Sequence, residues 1–373
     1  MSSTINYTFK MLYVFAILMV VDGHLGSINY LTFNEFLPYQ NYHLCLFMFT
    51  SGYFLNLKKK TSTFILSKTQ TLLLPLYGWN IFYGLFCQIL NKKLSFNLDT
   101  PFTLYNIFIA PITDGHQFLF NLASWFIIPL FILQTLTHFL LSHNYQNSFN
   151  FSKTIIIFFI TIITLSSLTL SITPAPLNKD FSLTILRSIY FYPSFAFGLL
   201  YKYVLEKKDT LPNIYYFPTI ILLLSIIYLI YPNYLHTPSW LHDINEPPFI
   251  LFIISFLSIL FWLRISKILS PIIKQSKTLN LISQKTFAIM MHHFIGFFFI
   301  KSILSFTFKD FNHLAFHTNI WYTYFLFNEE IITPLYLIIT LVITLLIDFT
   351  KQRFYDTINH SIKHFYTKLQ KMR

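Results

Sequence analysis

Apolar runs of about twenty residues recur along this chain, and they restrict its possible folds more than any other feature. A run of that length with almost no charge crosses the ~30 Å hydrocarbon core of a bilayer as an α-helix. In lipid, every backbone N–H and C=O must be satisfied within the segment, so such runs are usable only as helices. On this basis the sequence predicts about ten spans, roughly 8–29, 40–57, 71–91, 120–141, 154–173, 184–204, 214–232, 248–265, 286–306 and 330–350. The limits of the third and sixth are the least sharply drawn. The fold class expected is therefore an all-α integral membrane protein.

Composition supports this. Only 11% of the 373 residues are charged, against about 25% in a soluble domain. The expected organisation is one multi-span membrane domain over residues 1–350 and a basic tail over 351–373. In the tail, Phe354, Ile358, Ile362, Phe365 and Leu369 recur every three or four residues, the spacing of an amphipathic helix lying on a membrane surface. No small-residue cleavage site follows the first run, so it reads as a retained anchor. Cys45 and Cys87 both fall in apolar runs, which argues against a disulfide framework, and no metal-ligand spacing is present.

A net charge of +12 would suggest nucleic acid if its distribution were ignored. The basic residues instead fill short connections between spans, where they set topology. With both termini in the cytoplasm, about 20 of the 26 Lys and Arg fall on the inner side. The remaining six are Lys92, Lys93, Lys179, Arg187, Lys301 and Lys309. Three connections on the other side, around 91–121, 232–248 and 309–330, mix His, carboxylates and aromatics. Ring faces and fixed acceptors suit sugar binding, although ordinary interfacial loops have the same composition.

The most informative polar residues lie between Lys10 and Tyr53. The first apolar run meets Asp22, Gly23 and His24, and the second opens at His43 and contains Ser51, Gly52 and Tyr53. Ionisable groups in membrane-grade runs are costly and read as functional by default, though a His hydrogen-bonded inside a helix bundle is the plainer alternative. His24 titrates near neutrality when unperturbed. It stands about 25 Å along a helix starting near Tyr7, toward the outer side in this topology. On a regular helix Asp22 would point to another face, so it could orient His24 only if the helix breaks at Gly23. Ser51 reads as a packing residue, since no nucleophile elbow surrounds it. His292 and His293 fall inside the ninth span, with no third ligand at readable spacing.

The pattern formed by Val20, Val21, Gly23 and His24, followed by His43, Leu46, Phe47, Phe49, Ser51, Gly52, Tyr53 and Phe54, resembles the membrane acyltransferase 3 family. That family includes bacterial O-acetyltransferases of surface polysaccharides. The resemblance implies that His24 is catalytic, taking the proton of an acceptor hydroxyl as a general base. It implies acetyl-CoA as a donor substrate rather than a bound cofactor, a glycan or lipid-linked sugar as acceptor, and a bacterial cytoplasmic membrane. His43, Tyr53, Trp125 and Asp22 are candidate substrate-binding residues, with Trp125 matching the family's Trp-Phe pair at the opening of the fourth span. Lys10 and Lys68 are candidates for the donor.

This chain departs from the pattern at three positions. Asp22 stands where the family usually has an apolar residue. Tyr13 stands where a basic residue is common eleven residues before the His, and Lys10 is the nearest substitute. Thr71 stands where a second basic residue would follow Lys68. The expected function is a membrane O-acyltransferase of a surface glycan. The alternative is a transporter or flippase of a glycan intermediate, since intramembrane His and Asp also suit proton relays.

Overall fold

A computed structural model describes residues 5–24, 39–94, 100–115, 118–147, 150–173, 181–232, 247–307 and 334–353, together with Leu37, Phe96, Leu98 and Thr357. Among these residues the fold is helical, with no strand. Eleven helices organise it: α1 Tyr7–Gly23, α2 His43–Tyr53, α3 Thr61–Leu94, α4 Leu119–Tyr145, α5 Phe151–Ile172, α6 Phe181–Lys208, α7 Asn213–Ile230, α8 Pro248–Gln275, α9 Lys277–Gln284, α10 Thr286–Thr307 and α11 Pro334–Arg353. Each predicted span corresponds to one of them. Eight of the helices are long and apolar enough to cross a membrane. The other two predicted spans end short, because α1 has 17 residues and α2 has 11.

Several helices overrun their predicted limits. At 34 residues, α3 is about 51 Å long and outlasts the ~30 Å bilayer core. Its first two turns, TSTFILSK, are helical although too polar for a hydropathy window to include. A π-helical turn, Thr69–Leu73, follows Lys68 directly, and a second, Tyr201–Leu205, carries Lys202 near the end of α6. α8 continues through Pro271 to Gln275. α9 fills part of a stretch expected to be loop. It starts at Ser276, whose hydroxyl accepts the Leu279 N–H at 3.2 Å and caps the helix.

α1 is the hub. It packs against α2, α8, α9 and α10. Its first turn is capped by the Asn6 side chain, which accepts the Phe9 N–H at 3.2 Å. α6 is enclosed on nearly all sides, whereas α5, α7 and α11 leave most of their apolar surface exposed, as lipid-facing helices do. The closest backbone approach joins α2 to α6. A Cβ on Gly52 would lie 2.0 Å from the Phe195 carbonyl oxygen, and one on Gly198 2.0 Å from that of Phe49. Lipid supplies no hydrophobic force between helices, so small residues that let backbones touch are the usual adhesive. The glycine of the SGYF motif is therefore a packing device.

Two ends of the bundle differ in character. At the α1 N-terminal end, Tyr53 donates to the Glu206 carboxylate at 2.8 and 2.9 Å. Arg264 pairs with Asp209, stacks 3.9 Å over the Tyr216 ring and donates to the Leu211 carbonyl at 2.9 Å. The other end holds His24 and His43. The predicted loops 233–246 and 309–330 lie outside the described residues, and so does the tail beyond Arg353 except Thr357.

Candidate active site

α1 ends at Gly23, whose missing Cβ lets Tyr39 pack against it. A Cβ at Gly23 would fall 2.2 Å from the Tyr39 ring. The Tyr39 hydroxyl fills that space and donates to the Gly23 carbonyl at 3.0 Å. His24 follows as the cap residue, with φ −96° and ψ 2°. Its Nδ1 lies 2.6 Å from the Val20 carbonyl. The helix ends at Gly23, between Asp22 and His24. Asp22 is buried, at 1% exposure, within electrostatic reach of the Tyr39 phenol.

α2 brings His43 to the same place. His43 is the first residue of that helix, and its Nδ1 lies 2.8 Å from the Tyr39 carbonyl, one turn earlier. Its ring centroid is 5.1 Å from that of Tyr39, and its imidazole is within electrostatic reach of His24. Tyr39 thus touches both helix ends, by its hydroxyl to α1 and by its carbonyl to α2.

A third histidine arrives from α10. His293 is fully buried, and its ring centroid lies 5.1 Å from that of His24. Its Nδ1 is 2.8 Å from the Met290 carbonyl. Neighbouring helical residues diverge by about 100°, so His292 faces the other way. It shares a 2.6 Å hydrogen bond with the Tyr83 hydroxyl and meets Trp79 edge-on at 4.2 Å. Phe294 closes the wall, edge-on to His24 at 5.0 Å.

The cluster is recessed. His293 is the eighth residue of α10, which continues about 21 Å beyond it to Thr307. α2 and α6 run parallel, with Gly52 level with Gly198, so α6 begins about 12 Å beyond the level of His43. The same register sets Arg187 within about one turn of that level. Arg187 is fully buried, its guanidinium stacks 4.6 Å over the Trp125 ring, and it donates to the Asp114 carbonyl at 2.7 Å. Gly115, at φ +78°, lets the backbone turn there, since a Cβ would sit 2.4 Å from that of Trp125.

Of the candidates read from sequence, Asp22, His24 and His43 come together. Trp125 stands apart, beneath Arg187. Tyr53 lies at the opposite end of α2, about 15 Å along the helix from His43, with its ring stacked 4.0 Å from Phe9 and Lys202 5.6 Å above it. Lys10 donates to the Asn280 side chain on α9, and Lys68 lies 5.4 Å over the Phe64 ring. Tyr13, on the His24 face of α1, packs against Phe47 at 6.0 Å, and the exposed Thr71 hydroxyl turns back to the Ser67 carbonyl at 2.9 Å. Among the described residues, no three His, Cys, Asp or Glu side chains are grouped to hold a metal ion.

Sequence reasoning missed Tyr39 as a part of this region, and Arg187 as the group stacked on Trp125. Arg187 carried a signal, being a charge inside a span, but was assigned to topology. Tyr39 carried only its place one turn before His43.

A family model described as an acyltransferase domain matches residues 7–349. Neither a curated protein nor a solved structure matches the chain. The matched region holds the histidine cluster and all the helices around it, so the chain belongs to the membrane acyltransferase 3 family and is an integral membrane acyltransferase for groups other than amino-acyl groups.

Proposed function

We propose that the protein is an O-acetyltransferase that takes the acetyl group from cytoplasmic acetyl-CoA and places it on a hydroxyl of a surface glycan or its lipid-linked precursor, in a bacterial cytoplasmic membrane. The observation that carries this reading is the orientation of His24. Its Nδ1 faces the Val20 carbonyl, which can only accept a hydrogen bond, so Nδ1 carries the proton and Nε2 carries the lone pair of a base. A hydroxyl proton transferred to Nε2 activates the oxygen to attack the acetyl carbonyl, and the leaving thiolate then takes the proton.

The charge pattern supports the sidedness. Lys10 lies about 21 Å from His24 along α1. Lys58, Lys59, Lys60, Lys68 and Lys202 gather at that same end of the bundle, where positive charge suits the phosphates of coenzyme A. The donor would approach from this end and the acceptor from the other, and the two would meet at His24.

The test is mass spectrometry of the host's surface glycan in cells carrying the wild-type chain or His24→Ala at equal membrane abundance. The expected result is glycan acetylation with wild type and a loss of 10²-fold or more with the variant. Equal acetylation by both would remove His24 as the base. No acetylation by either would point to a different acceptor class.

A further inference from the structure

The three histidines share one local geometry. Each Nδ1 faces a backbone carbonyl about one turn earlier: His24 to Val20, His43 to Tyr39 and His293 to Met290. Because a carbonyl cannot donate, all three carry their proton on Nδ1 when neutral, and every Nε2 bears a lone pair. Two such neutral rings side by side gain nothing from each other, but a proton on one is stabilised by the lone pair of the other. His293 Nε2 is buried, with no hydrogen-bond partner among the described residues, and its ring is 5.1 Å from that of His24. A buried polar atom without a partner costs stability, so its retention needs an explanation.

We propose that His24 and His293 form a two-imidazole pair that takes up a single proton, His24 as the base that holds it at Nε2 and His293 as the positioning residue whose neighbouring Nε2 lone pair stabilises the imidazolium formed on His24. This rests on the acyl-transfer reading above. The acceptor O–H bond breaks, and its proton goes to His24 Nε2. The oxygen bonds to the acyl carbon. While the tetrahedral intermediate exists, the proton stays on His24 Nε2, and the lone pair of the neighbouring His293 Nε2 stabilises the imidazolium electrostatically. The C–S bond then breaks, and the thiolate takes the proton back from the pair, leaving both imidazoles neutral.

The surroundings fit one positive charge and not two. Tyr39 on the turn bonds the Gly23 carbonyl next to His24, and the buried Asp22 carboxylate within its reach supplies one negative charge. His43 on α2 and His292 on α10 also act on it electrostatically, and each would oppose a second charge. Phe294 covers one edge of His24 and packs 4.1 Å from His293, which keeps the proton in a medium of low dielectric.

The test uses ¹⁵N-histidine-labelled full-length protein in lipid bilayers and follows each imidazole by solid-state NMR across a pH series. The key variant is His293→Asn, whose side-chain amide can still donate to the Met290 carbonyl but offers no acceptor at the Nε2 position. His293→Phe, which keeps a planar ring but offers no acceptor, is the second variant should the first fail to accumulate. The expected wild-type spectrum shows Nδ1–H tautomers for His24 and His293 and one proton taken up jointly by the two. In either variant the His24 midpoint shifts by at least tenfold in proton concentration, and turnover falls about tenfold at unchanged KM. An unchanged His24 titration in both variants would overturn the pair. A coupled titration in a protein that transfers no acetyl group would support the pair while removing the acetyl-transfer reading.

Discussion

Gly23 and Tyr39 are the residues on which the position of His24 depends. Gly23→Ala would drive a methyl group into the Tyr39 ring, and overpacking of this kind costs about 1–3 kcal/mol. The expected outcome is a protein that still inserts but loses most of its activity, because Tyr39 cannot move without pulling on both His24 and His43. Tyr39→Phe keeps the ring and removes only the hydroxyl bond to Gly23, worth about 1 kcal/mol. It should leave thermal stability nearly unchanged and lower activity less than Gly23→Ala does. Activity and melting measured together on the two variants separate ring position from hydrogen bonding. At this scale the sequence was readable in part. His24 and His43 stand out because they interrupt apolar runs. The contact of His293 with His24 could not be read, since it depends on the depth at which α10 meets α1 and not on any spacing along the chain.

Among the helices, the α2–α6 pair has the least tolerance. Gly52→Val or Gly198→Val would place several carbon atoms where a carbonyl of the partner helix already lies. Either change should abolish accumulation of folded protein or lower its thermal midpoint sharply, whereas Gly78→Val on α3, where a Cβ meets nothing within 4 Å, should be tolerated. Size-exclusion profiles of detergent extracts would tell these outcomes apart. Hydropathy located each long helix because length and apolarity are what a bilayer selects. It missed α9 and the first turns of α3, which are held by a Ser cap, by packing on α1 and by helix continuity instead of by lipid. α1 and α2 were read as too long for a related reason. Apolar residues continue into the connection, but α1 ends at Gly23, where Tyr39 packs against it from outside the helix.

For the whole molecule, the open quantity is orientation, and the chain is well suited to measuring it. Its two cysteines, Cys45 and Cys87, are both buried, so background thiol labelling should be low. Cysteines introduced at the exposed positions Lys58, Lys208 and Lys274 should be protected from a membrane-impermeant reagent in intact cells and labelled in inverted vesicles. One at Pro101, exposed in the connection after α3, should show the opposite pattern. Labelling of the lysine positions from outside would reverse the topology and bring the donor to the wrong face. The seam between α2 and α6 also bears on how such a molecule can move. Where two backbones are in contact, neither helix can tilt, slide or rotate without the other, so the pair is mechanically one strut. His43 is fixed to that strut, while His24 sits on α1, which packs beside α2, and His293 on α10, which packs on α1. If the catalytic cycle opens and closes this cluster, the displacement is borne by α1 and α10, with His43 as the stationary reference.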